Sequence, residues 1–202
     1  MIQPHGGSLI NKVLPLRERE RILGQSDEYK KVQVNSQTIK VIKNIAFGVF
    51  SPLEGFMNES NYKYVLEHMY LENNVAWPFP IVLDVSDKKA KSFDVGEHIL
   101  ILDPVGIPIA LMDIEDKYDY EKKEFAQKVY GTLDRNHPGV DSVFDMKEKL
   151  IGGEIFLVNE PKSVFPELDL KPIETRVLFR ELRWDRVVAF QTRNPPHLGH
   201  EY

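Results

Sequence analysis

Four short apolar runs most restrict what this chain can fold into. "FPIVLDV" (79–85), "EHILILD" (97–103), "IPIALMDI" (107–114) and "GGEIFLVN" (152–159) are rich in branched residues and bounded by turn formers. Runs of that length and composition read as strands. "DPVG" (103–106) between the second and third supplies a hairpin turn. Helical patterns are dispersed among them. In "NSQTIKVIKNIAFG" (35–48), Ile39, Ile42, Ile45 and Ala46 recur at helical spacing behind Asn35 or Ser36 as cap, with Gly48 as stop. A second helix is expected from about Glu59 to Tyr70, where Tyr62, Val65, Leu66 and Met69 make one stripe, and a third in "YEKKEFAQKVYG", ending at Gly131. "SPLEGFM" (51–57) reads as a buried connection, "NHPGV" (136–140) as a loop and "VFDMKEKL" as weakly helical or extended. Strands with scattered helices and no βαβ alternation predict an α+β domain on a mostly antiparallel, barrel-like sheet.

At 202 residues the chain accommodates one large core, or a domain of about 150 residues with part of another. "EPKSVFPELDLKP" (160–172), with three prolines, is the expected linker. The boundary falls at a first domain of residues 1–169 and a second, incomplete one of 170–202. After the linker, "IETRVLFRELRW" reads as a helix. The uninterrupted Val187, Val188, Ala189 and Phe190 then read as a strand buried on both faces, the opening strand of an α/β domain.

A formal charge of −5 speaks against a nonspecific nucleic-acid or acidic-membrane binder, though it permits a local cationic pocket. The absence of cysteine excludes disulfides, thiolate metal sites and Cys nucleophiles, and is compatible with a reducing compartment. No secretory leader pattern and no apolar run of about 20 residues is present, so the protein is expected in the cytoplasm.

The last twelve residues, "QTRNPPHLGHEY", hold the densest chemistry. At the C-terminal end of the expected strand, Gln191 and Arg193 are two apart and face one side if the chain stays extended. Ligands of open α/β sheets gather there. Pro195 and Pro196 stiffen the loop and keep Asn194 out of helical space. His197 and His200 are three apart, close to one turn, and Gly199 leaves room for a ligand near a helix N-terminus that favours anions. A forked guanidinium, an amide, two imidazoles and free N–H groups make a cradle for an oligophosphate. No carboxylate lies among residues 190–200. Zinc is the rival for the histidine pair, but no third ligand stands nearby. His5, His68, His98 and His137 read as scaffold residues, and "DKKAK", "EKKEF" and "DIEDKYDYE" as solvated charge.

"AFQTRNPPHLGHEY" closely resembles the Gln-x-Arg-Asn-Pro and His-x-Gly-His block of the ATP sulfurylase (sulfate adenylyltransferase) family. "PHGGSLIN", "NIAFGVFSPLEGFMNESNY", "WPFPIVLDV", "HPGV" and "IGGEI" resemble that family's amino-terminal region in the same order. The resemblance implies a PUA-like β-barrel domain followed by the truncated start of a Rossmann-like nucleotidyltransferase domain. It implies attack of sulfate on the α-phosphorus of ATP, giving adenosine 5'-phosphosulfate and pyrophosphate, with magnesium accompanying the nucleotide and no protein-bound metal in this chain. Gln191 and Arg193 would hold sulfate, Asn194 would shape the nucleotide loop, and His197 and His200 would contact the phosphates and the transition state. ATP and sulfate are then the partners of an intact homo-oligomeric enzyme, with neither nucleic acid nor membrane. Because the later nucleotide and sulfate contacts of the family are missing, the chain is expected to be a catalytically silent piece of a longer enzyme, with residues 170–202 poorly packed or lying on the first domain. Three other readings compete: another His-x-Gly-His adenylyltransferase, an RNA-binding PUA-like module, and a noncatalytic interaction domain. The nearly 190 residues ahead of the motif count against the first, and the acidic balance counts against the second.

Overall fold

Seven strands build the sheet: β1 (Lys30–Gln33), β2 (Gly55–Phe56), β3 (Leu83–Val85), β4 (His98–Leu102), β5 (Pro108–Asp113), β6 (Asp116–Asp119) and β7 (Lys149–Leu157). They are seen in a computed structural model that describes residues 3–195 and 197–200, His200 by its backbone alone. The nine-residue β7 is the strand on which the others assemble. Along one edge it pairs antiparallel with β5 and then β6. Along the other it pairs antiparallel with β3 and β2. Met112 faces Ile155 and Asp116 faces Gly152, so four steps on the β5–β6 side match three on β7. That extra residue is a bulge, and it bends the sheet.

The bend explains the two glycines of "IGGEI". A side chain on Gly153 would meet the carbonyl oxygen of Asp113 at 1.9 Å, and one on Gly152 would meet that of Met57 at 2.5 Å. Backbone from both neighbours therefore presses on β7 where no Cβ can stand, and Gly153 has φ +148. Through β5 the sheet continues to β4, which forms the expected hairpin over Asp103–Gly106. Asp103 Oδ1 accepts from the backbone N–H groups of Val105 and Ile107 at 2.9 and 2.8 Å, closing that turn. The path ends in β1, parallel to β4.

The mostly antiparallel expectation holds, with β1–β4 as the parallel exception. The barrel is corrected to a curled half-barrel: the strand path runs β1-β4-β5-β7-β2 and its two ends do not join. In "FPIVLDV" only Leu83–Val85 is strand. β1 escaped the sequence reading because Lys30, Lys31 and Gln33 dilute the apolar signal of its one buried residue, Val32.

Helices α1 (Leu16–Gly24), α2 (Ser36–Ala46), α3 (Glu59–His68), α4 (Asp87–Ser92), α5 (Lys122–Tyr130), α6 (Pro138–Asp145) and α7 (Pro172–Glu181) complete the described chain. Asn35 caps α2 and Asn58 caps α3, each side-chain oxygen accepting from the backbone N–H three residues on at 2.9 and 3.0 Å. Their stripes, Ile42 and Ile45 in α2 and Tyr62 and Val65 in α3, join Phe93, Ile99, Ile101, Phe125 and Ile151 in the main core. Leu100 points to the other face of β4, where α1 covers it with Ile22 beside Val158. The unbroken "ILIL" run is thus buried on both faces. Among the described residues no helix is long and apolar enough to cross a membrane.

The "NHPGV" loop is corrected to a helix start. Pro138 occupies the first turn of α6 with its fixed φ, and the His137 ring caps it: Nδ1 accepts from the N–H groups of Gly139 and Val140 at 3.2 and 3.4 Å. Replacing His137 with alanine is expected to lower stability by about 1 kcal/mol, a fall of about 2–4 °C in melting temperature, and replacing it with asparagine to restore most of that. Calorimetric melting of the two variants checks this.

The strand expected at 187–190 is also corrected. Residues 186–192 are irregular, and Val188 and Phe190 are 93% and 66% exposed. A lone strand leaves its backbone groups without a sheet to pair with, however apolar its side chains.

Candidate functional site

The segment carrying the terminal block is tied to the half-barrel by a few charged contacts. Lys43, in the last turn of α2, pairs with Asp169. The Lys171 ammonium lies 2.9 Å from Glu160 and 4.3 Å above the ring of Phe47. From this anchor α7 departs, with Pro172 in its first turn and the Glu174 carboxylate accepting from the Lys171 N–H at 2.6 Å. The Lys43 ammonium beside Asp169 holds its carboxyl below the usual range, against the opposing effect of its partial burial. A lowered acid pKa stabilises above the ordinary aspartate value, about 3.9, and that contribution disappears as pH falls through the lowered one. Limited proteolysis is therefore expected to cut within residues 160–171 faster in acid than at neutral pH, and faster at neutral pH in Asp169→Asn.

Beyond α7 the chain turns at Arg183, φ +56, and Trp184 folds back so that its N–H reaches Phe179 O at 2.9 Å and its ring stacks on Phe179 at 5.9 Å. A hollow of about 500 Å³ opens there, lined by Thr175, Phe179, Arg180, Arg183, Trp184 and Val187 among others. It is cationic and aromatic, but Gln191, Arg193, Asn194 and His197 are not among its lining residues. Its apolar walls remain half-exposed, as the expected poor packing of residues 170–202 implies; Trp184 alone is 53% exposed.

Gln191, Arg193, Asn194 and His197 are all exposed. Thr192 Oγ1 accepts from the Asn194 N–H at 3.1 Å, which bends the chain ahead of Pro195. The His197 ring accepts at Nδ1 from the Gly199 N–H at 3.2 Å. A neutral imidazole accepting at Nδ1 carries its proton on Nε2, which makes that edge a hydrogen-bond donor. The expected helix N-terminus is a single 3₁₀ turn, Leu198–His200. Pro196 and the His200 side chain lie outside the described residues, so the facing of the two imidazoles does too. His137 and His197 share one local device: in "HPG" and "HLG" alike, a histidine nitrogen accepts from the glycine N–H two residues on.

The other histidines make local contacts. His5 bonds Ala76 O at 2.7 Å beside Trp77, His98 pairs with Asp113, and His68 lies 4.5 Å from the Tyr64 ring. Among the described residues no group of three His, Asp or Glu side chains stands close enough to hold a metal ion. The anchoring set Lys43, Phe47, Asp169 and Lys171 escaped sequence reading, because its partners are more than a hundred residues apart and form no local pattern.

Residues 2–160 match the family described as PUA-like domain, and residues 166–202 match the family described as ATP-sulfurylase. Sulfate adenylyltransferase of Pyrococcus abyssi is 51% identical over 200 residues, covering 99% of this chain and 52% of that protein. The enzyme of Thermococcus onnurineus is 47% identical over 200 residues with the same coverages, and that of Acaryochloris marina 38% over 202 residues, covering all of this chain and 52% of its own. The chain thus spans about half the length of the curated relatives it matches. A solved structure, a hexameric APS kinase from Thiobacillus denitrificans, superimposes with a TM-score of 0.77 at 23% identity, covering all of this chain and 36% of that one. That likeness is one of fold.

Proposed function

Because the chain belongs to the sulfate adenylyltransferase family, its PUA-like domain occupying residues 2–160, we propose that its terminal block is the anion-holding part of an active site that transfers the adenylyl group of ATP to sulfate. A sulfate oxygen attacks the α-phosphorus, the bond from that phosphorus to the bridging oxygen of pyrophosphate breaks, and pyrophosphate leaves with the electron pair. Sulfate is already deprotonated, so the attack needs no general base. What it needs is fixed positive charge and N–H donors that hold two anions together and stabilise charge spreading at phosphorus. Gln191 and Arg193 hold sulfate, the guanidinium by its fork. Asn194 shapes the nucleotide loop, and His197 and His200 contact the ATP phosphates and the transition state. The hydrogen bond from the Gly199 N–H, which holds the His197 ring by Nδ1, supports this role. Magnesium enters as the counter-ion of ATP. We place the reaction in cytoplasmic sulfate activation by a homo-oligomer, with residues 170–202 beginning a Rossmann-like domain in the longer enzyme.

The observation that carries this reading is the identity, 51% across 99% of the chain, together with a terminal block that carries a guanidinium, two amides and two imidazoles. Formation of adenosine phosphosulfate and pyrophosphate from ATP and sulfate tests it. A polypeptide of the relatives' full length that begins with this sequence is expected to be active, and the 202-residue polypeptide, whose block stands exposed, to be silent. A full-length enzyme that adenylylates some other acceptor and ignores sulfate would overturn the reading.

A further inference from the structure

Residues 2–10, 45–53 and 75–83 contain no Lys, Arg, Asp or Glu, types that make up 28% of the chain. The fold brings the three stretches together. His5 Nε2 lies 2.7 Å from Ala76 O, and its ring centre lies 6.0 Å from that of Trp77. Phe50 meets the Trp77 ring edge-on at 6.2 Å. The first and second stretches interlock as closely: the Ile10 N–H donates to Ser51 Oγ at 3.0 Å, and a side chain on Gly6 would meet the Pro52 ring at 2.6 Å. Met69 and Tyr70 adjoin them from the end of α3, Met69 O accepting from the Trp77 N–H at 2.8 Å and Tyr70 pairing with Ala76. The result is a braced face without a formal charge among these residues, on which Val49, Met69 and Tyr70 are 53%, 58% and 45% exposed. Large apolar side chains exposed together mark a contact surface.

The linker reaches the half-barrel at the rim of this face. Phe47, whose ring lies under the Lys171 ammonium, caps α2, and Val49 follows it by two residues. Lys43, one turn earlier, holds Asp169. Whatever follows the linker therefore starts beside the face. The curated relatives supply about as much chain again, this one covering 52% of the Pyrococcus abyssi enzyme. A tethered segment meets the face at an effective concentration that is roughly millimolar. A second copy must come from solution, against a net charge of −5 on each partner. Both considerations favour the tethered occupant.

Resting on the reading that the active enzyme is the longer polypeptide, we propose that this face seats the part of it that follows residue 202. The seated surface is apolar and uncharged where it meets Val49, Met69 and Tyr70, and it packs the half-barrel and the remainder of the enzyme into one body.

Hydroxyl-radical footprinting of the 202-residue protein and of the polypeptide of the relatives' full length tests this. Labelling of Met69 and Tyr70 is expected to fall about fivefold or more in the longer polypeptide, as at the packed core of an interface, and to stay low on dilution. Val49→Glu, at an exposed turn position, is expected to leave the melting temperature of the 202-residue protein unchanged. In the longer polypeptide it is expected to return the labelling of both residues to within about twofold of the shorter protein's, because a carboxylate enclosed there without a partner loses its water. Equal labelling in the two polypeptides overturns the proposal. So does protection that fades on dilution, which would put a second copy on the face, or protection that survives Val49→Glu. Adenosine phosphosulfate formation is assayed on the same samples. A full-length polypeptide that is protected but inactive counts against the reaction alone, and one that is active with both residues labelled counts against the seat alone.

Discussion

Gly153→Ala is expected to destabilise the half-barrel by roughly 3–5 kcal/mol, lowering its melting temperature by on the order of 10 °C. Two effects add. At φ +148 an alanine adopts a conformation that L residues rarely hold, and its Cβ would stand 1.9 Å from Asp113 O, a backbone atom fixed by the sheet. Neither partner yields without opening the β5–β7 ladder at the bulge. Gly96→Ala separates the two effects. Gly96 also has positive φ, +87, but nothing lies within 4 Å of its missing Cβ. It is expected to cost about 1–2 kcal/mol, the conformational part alone. Equal losses in the two variants, read by chemical denaturation, would show that the close approach at Gly153 contributes nothing.

In a chain of the relatives' full length, Arg193→Lys and His197→Ala are each expected to lower kcat/KM for adenosine phosphosulfate formation by about 10²–10³-fold. Lysine keeps the charge at position 193 but loses the planar fork that grips two oxygens of one tetrahedral anion. Its deficit should therefore fall heavily on the KM for sulfate. Loss of His197 removes a donor to charge that spreads at phosphorus, so its deficit should fall on kcat with the KM for ATP little changed. The double variant is expected to lose less than the product of the two, since both groups hold one transition state. Rates within about threefold of wild type for either single variant would remove that residue from the reaction. Because Arg193 and His197 are exposed here, neither change is expected to alter the melting temperature of the 202-residue polypeptide.

What could be read from the sequence is what depends on neighbours in the chain. The caps Asn35 and Asn58, the stripes they introduce, the Asp103–Gly106 turn and the glycine pair within β7 all declare themselves within a dozen residues. The failures depend on distant partners. β1 is strand because β4 is there to pair with it, and α1 exists in its place because Leu100 needs cover; neither reason is written in "KKVQ" or "LRERERILG". Val187–Phe190 failed in the opposite sense. Its local signal is strong, but a strand is a relation between segments, and among the described residues no strand pairs with it. The terminal block was legible as chemistry because Gln191, Arg193, Asn194, His197 and His200 are anion ligands by type and lie within ten residues, whereas the anchor of Lys43 on Asp169 and Lys171 on Phe47 joins distant residues and appears only in the fold.

The dependence of the sheet on β7 also sets an order in time. Four of the other six strands, β2, β3, β5 and β6, take their partner from residues 149–157. During synthesis these segments leave the ribosome long before that partner exists. Only β1, β4 and β5 can pair among themselves beforehand. The nascent chain must therefore hold open strand edges until "IGGEI" emerges, a long-range closure that is slow and exposed to misassociation. A pause in translation just ahead of residue 149 would prolong that state, while one late enough that residues 149–157 have left the ribosome would find the half-barrel able to close.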